Sequence, residues 1–224
     1  MPVEPSSTHI ARFLPGAVRT EADGRMHFAV YERNIAPILT GLAALLDGRT
    51  GNALEIGSGT GQHIKDFAQH FPNLNWTPSD PDPDHRRSID AWTAHAGTDT
   101  GKARAIDAAA DWAGDVADIA PLSLIFSANV IHIAPWAVAE GILAAAGKVL
   151  APGGLLVFYG PFREGGQHTG EGNAEFDRRL RADNPAWGLR DVDDIAALAA
   201  KAGLVQRDLM VMPANNRIVV FAKT

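Results

Sequence analysis

At 224 residues, 46% hydrophobic and 21% charged, the chain has the composition of one soluble globular domain. A net charge of −6 with no long basic run argues against nucleic acid as a partner, because a phosphate backbone calls for a basic footprint; the cluster Arg178, Arg179, Arg181 reads as a solvated helix face. With no cysteine, disulfide frameworks, thiolate metal sites and cysteine nucleophiles are excluded.

Residues 1–9 lack the basic-then-apolar pattern of a secretory signal, and no apolar stretch reaches the length of a membrane span, so a cytoplasmic protein is expected. The segment 1–27 is rich in Pro, Ser, Thr and Gly over most of its length and is expected to be irregular. A helical pattern runs from 28 to 46, with Ile38, Leu39, Leu42, Leu45 and Leu46 at core-facing spacings and Pro37 expected to break or kink it near Ala36. The chain then alternates: strand 52–56, helix 62–70, strand 74–79, helix 84–95, a short strand near 103–106. A continuous apolar strand at 122–127 is followed by a helix over 136–149 and a strand at 155–159. A helix over 191–202, with Asp191 as N-cap and Gly203 as stop, precedes strands 205–212 and 217–222.

Alternating strands and helices imply a mostly parallel sheet covered on both faces. The tight turn at 213–216 requires an antiparallel final pair. The expected fold is therefore α/β, a doubly wound, mostly parallel seven-stranded sheet with a C-terminal antiparallel strand, in a single domain over 1–224. Ligands in such sheets sit beyond the carboxyl ends of the strands, which selects the loops 57–62, 79–82, 106–112, 128–136, 160–174 and 213–216.

The first of these loops is the most informative. Glu55-Ile56-Gly57-Ser58-Gly59-Thr60-Gly61 places three glycines at alternate positions after an apolar strand. Only residues without a Cβ let a backbone approach a ligand this closely, and the following helix N-terminus turns free N–H groups toward it. A dinucleotide fingerprint G-x-G-x-x-G would need Gly at 62, where Gln62 stands. The acidic-x-G-x-G-x-G pattern is instead the form seen in S-adenosylmethionine (SAM) binding folds. Glu55 either faces the positive end of that cofactor, orders the glycine loop, or is a plain strand-end acid.

Asp80 ends the second strand at the spacing, about 20 residues on, of an acid that accepts from ribose hydroxyls; its Ser-Asp-Pro-Asp-Pro context also favours a simple turn. Asp107 is placed to accept from an adenine amino group, with Ile106 or Ala108 along the ring. Asn129 and His132 follow the fourth strand. His132 is a candidate general base or substrate hydrogen-bond partner, and equally a structural histidine. Trp136 either shapes the pocket or packs a helix start. Tyr159, Phe162 and Asn173 belong to the fifth strand and a glycine-rich loop that either orders over substrate or is a surface connection. Asn215 and Asn216 occupy the final turn, where Asn is common for conformational reasons alone. No Asp/His cluster has convincing metal-ligand spacing, so no metal is expected.

With these residues assembled, the sequence resembles the domain-of-unknown-function 938 family, the methyltransferase-like 26 group. The resemblance rests on Glu32-Arg33-Asn34 with Pro37-Ile38-Leu39, Glu55 through His63, Trp76-Thr77-Pro78-Ser79-Asp80, and Ile131 through Trp136. It continues through Tyr159-Gly160-Pro161-Phe162, Asn173 through Asp177, Trp187 through Asp191 and Met212 through Asn216, spanning 28–223. It implies a class I SAM-dependent methyltransferase fold and methyl transfer, with S-adenosylhomocysteine (SAH) as product. It further implies that 28–47 covers the cofactor through Glu32, Arg33 and Asn34, with Arg33 suited to the methionine carboxylate, and that His63 belongs to the cofactor loop. Ile35 and the stretch 127–130 depart from the family pattern, which leaves the acceptor open.

The function expected is transfer of a methyl group from SAM to a small polar molecule, heteroaromatic or amino-acid-like. His132 is the first candidate base and Tyr159 the second, with Trp136, Phe162, Asn173, Asn215 and Asn216 around the acceptor. Two rivals stand beside it: a SAM-binding regulatory or scaffold protein without catalysis, and a nicotinamide-dependent oxidoreductase, against which Gln62 speaks.

Overall fold

The structure is a computed structural model that describes residues 18–224. The part of the expected irregular segment before residue 18 lies outside the described residues. From there the chain departs from expectation: β1 (Val18–Thr20) and β2 (Met26–Phe28) pair antiparallel around a turn at Gly24. These three-residue strands have no periodicity of their own to read. Distant groups hold them: Met26 N donates to Ser88 Oγ (2.8 Å), Phe28 N to Gln62 Oε1 (2.7 Å), and Trp92 Nε1 to the Met26 carbonyl (2.8 Å).

Helix α1 (Val30–Leu46) runs without interruption through Pro37, contrary to the expected break. A mid-helix proline costs about 3 kcal/mol, and burial of Ile38, Leu42 and Leu46 against the sheet, at about 1.5–3 kcal/mol per side chain, more than offsets it. The alternation then follows as read: β3 (Gly51–Ile56), α2 (Gln62–His70), β4 (Leu74–Ser79), α3 (Pro83–Ala96), β5 (Leu122–Ala128) and α4 (Trp136–Val149). The strand expected near 103–106 is reduced to a single bridge, Arg104 opposite Ser79, and two backbone bonds to the end of β4. The Arg104 guanidinium grips Asp118 at 2.6 Å, and Ala103 N is tied to Asp90. Those anchors carry the chain across the strand ends.

β6 (Leu150–Pro161) is longer than the 155–159 expected, because Leu150 already pairs with Leu122 before a register shift around 151–154. The glycine-rich stretch 160–174 is also more ordered than a loop. Gly165 and Gly166, both at positive φ, turn a two-residue hairpin between β7 (Arg163–Glu164) and β8 (Gln167–His168), and α5 (Glu171–Asp183) begins inside the stretch. α6 (Val192–Lys201), β9 (Leu204–Val211) and β10 (Asn216–Lys223) close the chain, with Asp191 capping α6 through Asp193 N at 3.0 Å.

One six-stranded sheet results, in the order β4-β3-β5-β6-β10-β9, parallel except for β10. Among the described residues the seventh strand expected is replaced by the single bridge at Arg104, and the antiparallel finish is kept. Two cores flank it. Ile38, Leu42, Ile64, Phe67 and Ile89 from α1, α2 and α3 cover one face, while Val138, Ile142, Ile195 and Ala199 from α4 and α6 cover the other. Among the described residues no helix is long and apolar enough to cross a membrane.

Candidate functional site

Buried Ala53, Leu54 and Ile56 fix β3 in the sheet and deliver the chain to Gly57. Gly57, Gly59 and Gly61 all sit at positive φ, and a Cβ on Gly57 would stand 2.5 Å from Val130 Cγ2. The loop is stitched to the end of β4. Ser58 N donates to the Ser79 carbonyl (2.8 Å), and Gly59 N donates to Asp80 Oδ2 (2.9 Å). The other Asp80 oxygen accepts from Asp82 N (2.9 Å) and meets His85 Nδ1 at 3.0 Å. Burial pulls the His85 pKa down, but the bond and charge of Asp80 outweigh it and raise it overall. Asp80 thus holds the glycine loop as well as bordering the space beside it.

That space is a cavity of about 190 Å³ at the carboxyl ends of β3, β4 and β5. Gly57, Ser58, Gly59, Thr60 and His63 form its floor; Asp80, Ile106 and Asp107 form one side, and Asn129 the other. Ala108, Val130, Ile133, Ala134 and Val138 add apolar lining, and Phe28, Val30, Tyr31 and Asn34 line it from β2 and the start of α1. Asp107 Oδ1 accepts from Ala109 N at 3.0 Å, leaving its second oxygen for other donors. Gln62, at the position where a dinucleotide fold has its third glycine, accepts from Phe28 N and from Thr60 Oγ1 (3.1 Å) and so fastens the cover. The cover is pinned further by Tyr31, whose hydroxyl donates to Asp66 and accepts from Lys65 Nζ at 3.0 Å.

Residues 25–223 match the family described as a protein of unknown function, DUF938. The chain belongs to that family. Solved structures similar to the DUF938 chain include the SAM-dependent methyltransferase SibL (19% identity, TM-score 0.70, 87% of this chain and 56% of that one). An O-methyltransferase family protein from Burkholderia thailandensis matches at 16% identity and TM-score 0.70, over 87% and 57% of the two chains. Mitomycin 7-O-methyltransferase MmcR matches at 16% identity and TM-score 0.71, over 88% and 55%. At these identities the likeness is one of fold, that of class I SAM-dependent methyltransferases. The chain spans little more than half the length of these proteins.

In the DUF938 chain the residues expected around an acceptor do not line the cavity, and most have other partners. His132 is 3% exposed, with its ring 5.9 Å from that of Phe176, and burial, with a further push from Arg190, lowers its pKa to about 3. Phe162 is core. The Arg190 guanidinium lies over the Trp136 ring at 5.5 Å and donates to the carbonyls of Ile131 and Ala134, clamping the 131–136 loop. Asn173 donates to Thr169 Oγ1 (2.8 Å) and to the Asn215 carbonyl (3.1 Å), tying α5 to the last turn, where Ala214 and Asn215 are both left-handed. Asn216 Nδ2 donates to Tyr159 Oη at 3.0 Å. Arg33 is exposed and, like Gly61, stands outside the lining. Tyr31 and His85 also line the cavity, and neither carries a signal in the sequence, since an aromatic at a helix start and a histidine after a turn are both ordinary.

Glu55 is also outside the lining, 1% exposed beneath the loop, and its Oε2 has no hydrogen-bond partner. Burial raises its pKa to about 8, the Ser58 hydroxyl pulling it back and the Asp80 charge adding to the rise. At pH 7 the folded carboxyl keeps its proton while the unfolded one, near 4.5, has lost it. Its contribution to stability is therefore complete below about pH 4.5 and lost as pH climbs toward 8. Glu55→Gln is expected to raise the stability of the ligand-free protein at pH 7 by about 1–3 kcal/mol and to change little at pH 4. Chemical denaturation at the two pH values checks this, and equal or lower stability of the variant at pH 7 would contradict it.

Proposed function

We propose that the chain is a SAM-dependent methyltransferase acting on a small polar molecule, heteroaromatic or amino-acid-like. The observation that carries this reading is the set of groups around one cavity: Gly57 and Gly59 of the glycine loop, carboxylates at Asp80 and Asp107, and apolar side chains at Ile106, Ala108 and Val138. These fit an adenosine group. The wall from Ile106, Ala108 and Val138 accommodates a planar ring, Asp107 accepts from its amino group, and Asp80 accepts from ribose hydroxyls. Glycines 57 and 59 let the backbone approach the remainder, and Asn34 and His63 border its amino-acid end.

When bound, SAM supplies a methyl group on a positively charged sulfur, so the donor needs no activation by the protein. The work left to this chain is alignment and exclusion of water, which contribute up to about 7–11 kcal/mol in favourable cases. Phe28, Tyr31 and Asn34, with Phe28 fastened to Gln62 and Tyr31 to Asp66, are the residues of this reading that would shield the reacting groups from water. A base of pKa about 3 is poorly matched to an ordinary hydroxyl. The reading therefore favours an acceptor that arrives nucleophilic, an amine or an ionised oxygen, with His132 as a neutral neighbour of Asn129 and Gly160 rather than a base.

The test is methyl transfer from methyl-labelled SAM to a panel of amines, phenols and carboxylic acids. Label is expected in product, and Asp80→Ala is expected to weaken SAM binding by about tenfold or more, since it removes a charge-assisted acceptor and the anchor of the Gly59 amide. SAM binding without transfer to any class would instead support the non-catalytic role.

A further inference from the structure

Asp80 and His85 both line the cavity, and both side chains are buried. An ionised carboxylate offers about four lone-pair positions on its two oxygens and donates nothing. Among the described residues three of those positions are filled at Asp80. Oδ1 accepts from Asp82 N at 2.9 Å and from His85 Nδ1 at 3.0 Å, and Oδ2 accepts from Gly59 N at 2.9 Å. One position is left, on Oδ2, the oxygen that also holds the glycine loop. The three donors differ in what the fold asks of them. Asp82 N closes the turn after β4, and Gly59 N fixes the loop. His85 is required for neither, and it does not cap its own helix: Asp82 caps α3 by accepting from Asp84 N at 2.8 Å. Its imidazole nonetheless reaches back from the first turn of α3 to Asp80 Oδ1. Without that bond each oxygen would keep one open position, the arrangement that suits two neighbouring hydroxyls of a ribose.

We infer that His85 is a specificity-determining residue: by filling the second position on Asp80 Oδ1 it restricts the carboxylate to one ribose hydroxyl, accepted by Oδ2. The inference rests on the reading of the cavity as an adenosine site and narrows it, from an acid that serves both hydroxyls to an acid that serves one. A hydrogen bond to a charged acceptor is worth more than one between neutral groups, so the two hydroxyls of a bound nucleoside contribute unequally to affinity. A purely structural His85 predicts something else. Its replacement would then weaken every adenosine ligand alike, whichever hydroxyl that ligand carries.

Calorimetric titration with SAH and with its 2′-deoxy and 3′-deoxy analogues tests this. In the wild type, loss of one hydroxyl is expected to weaken binding by about tenfold or more, and loss of the other by less than about threefold. His85→Leu opens Oδ1 to the second hydroxyl and is expected to bring the two losses within about twofold of each other. His85→Ala makes the same removal with a smaller side chain, should leucine prevent folding. His85→Asn, whose amide nitrogen occupies the place of Nδ1, is expected to keep the inequality. Each comparison is a ratio within one protein, so a general loss of stability does not mimic the result. Equal losses in the wild type would overturn the inference, and so would an inequality that survives unchanged in His85→Leu and His85→Ala. Failure of all three ligands to bind the wild type would count against the adenosine reading itself and take the inference with it.

Discussion

Gly61→Ala is expected to destabilise the protein by about 2–4 kcal/mol, the sum of a left-handed alanine and an overpacked contact. Gly61 caps α2 at φ +85°, and a Cβ there would lie 2.5 Å from Ile89 Cα, a backbone atom of α3 that cannot rotate away. Relief requires moving α2 off α3, which also moves Thr60 and His63 in the cavity floor. The variant is therefore expected to lose ligand affinity together with stability. Urea denaturation measures the first effect and SAH titration the second. A loss under about 1 kcal/mol would mean that the two helices are not packed as described.

The second large effect is the loss of stability that two buried histidines contribute as pH falls below 6.5. Burial holds His132 near 3 and His63 near 4, with Asp66 raising and Lys65 lowering the latter, against 6.5 in the unfolded chain. Below pH 6.5 the unfolded chain takes up protons that these folded imidazoles refuse, so stability falls as pH drops toward 4. At about 1.4 kcal/mol per unit of pKa difference, the two together amount to several kcal/mol. His85 and Glu55 act in the opposite sense: the raised pKa of each adds stability at low pH that is lost as pH climbs, above about pH 6.5 for His85 and between about pH 4.5 and 8 for Glu55, and the two offset part of the decline. Between about pH 7.5 and 4.5, His132→Gln is expected to gain stability relative to the wild type as pH falls, measured as a widening difference between their denaturation midpoints. Parallel curves for variant and wild type would contradict the buried, neutral state of His132.

The sheet and most helices were legible because their signals are local. The apolar run at 122–128, the helix 62–70 and the Asp191 cap each carry their own pattern, and the glycine loop is dictated by backbone conformations open to few other residues. The hairpin β1–β2 was not legible, because its backbone bonds go to Ser88, Gln62 and Trp92, more than 30 positions away. α5 was hidden by its polarity: only Asn173, Asp177 and Leu180 are buried, too few for an apolar stripe. Pro37 does not break α1, because its local penalty is outweighed by the burial of Ile38, Leu42 and Leu46. In the candidate site, Asp80 and Asp107 could be placed from strand ends alone. The residues around Tyr159 could not, since whether Asn173 or Asn216 is committed to a partner depends on which backbone carbonyl or hydroxyl the fold brings opposite.

The central claim, that the three-glycine cavity is a SAM site, is tested most directly by calorimetric titration of the purified protein with SAH and with NAD at matched concentrations. The account expects SAH to bind with one-to-one stoichiometry and to be weakened in Asp80→Ala, with no binding of NAD. Binding of NAD with none of SAH would contradict it, and with it the methyl-transfer function.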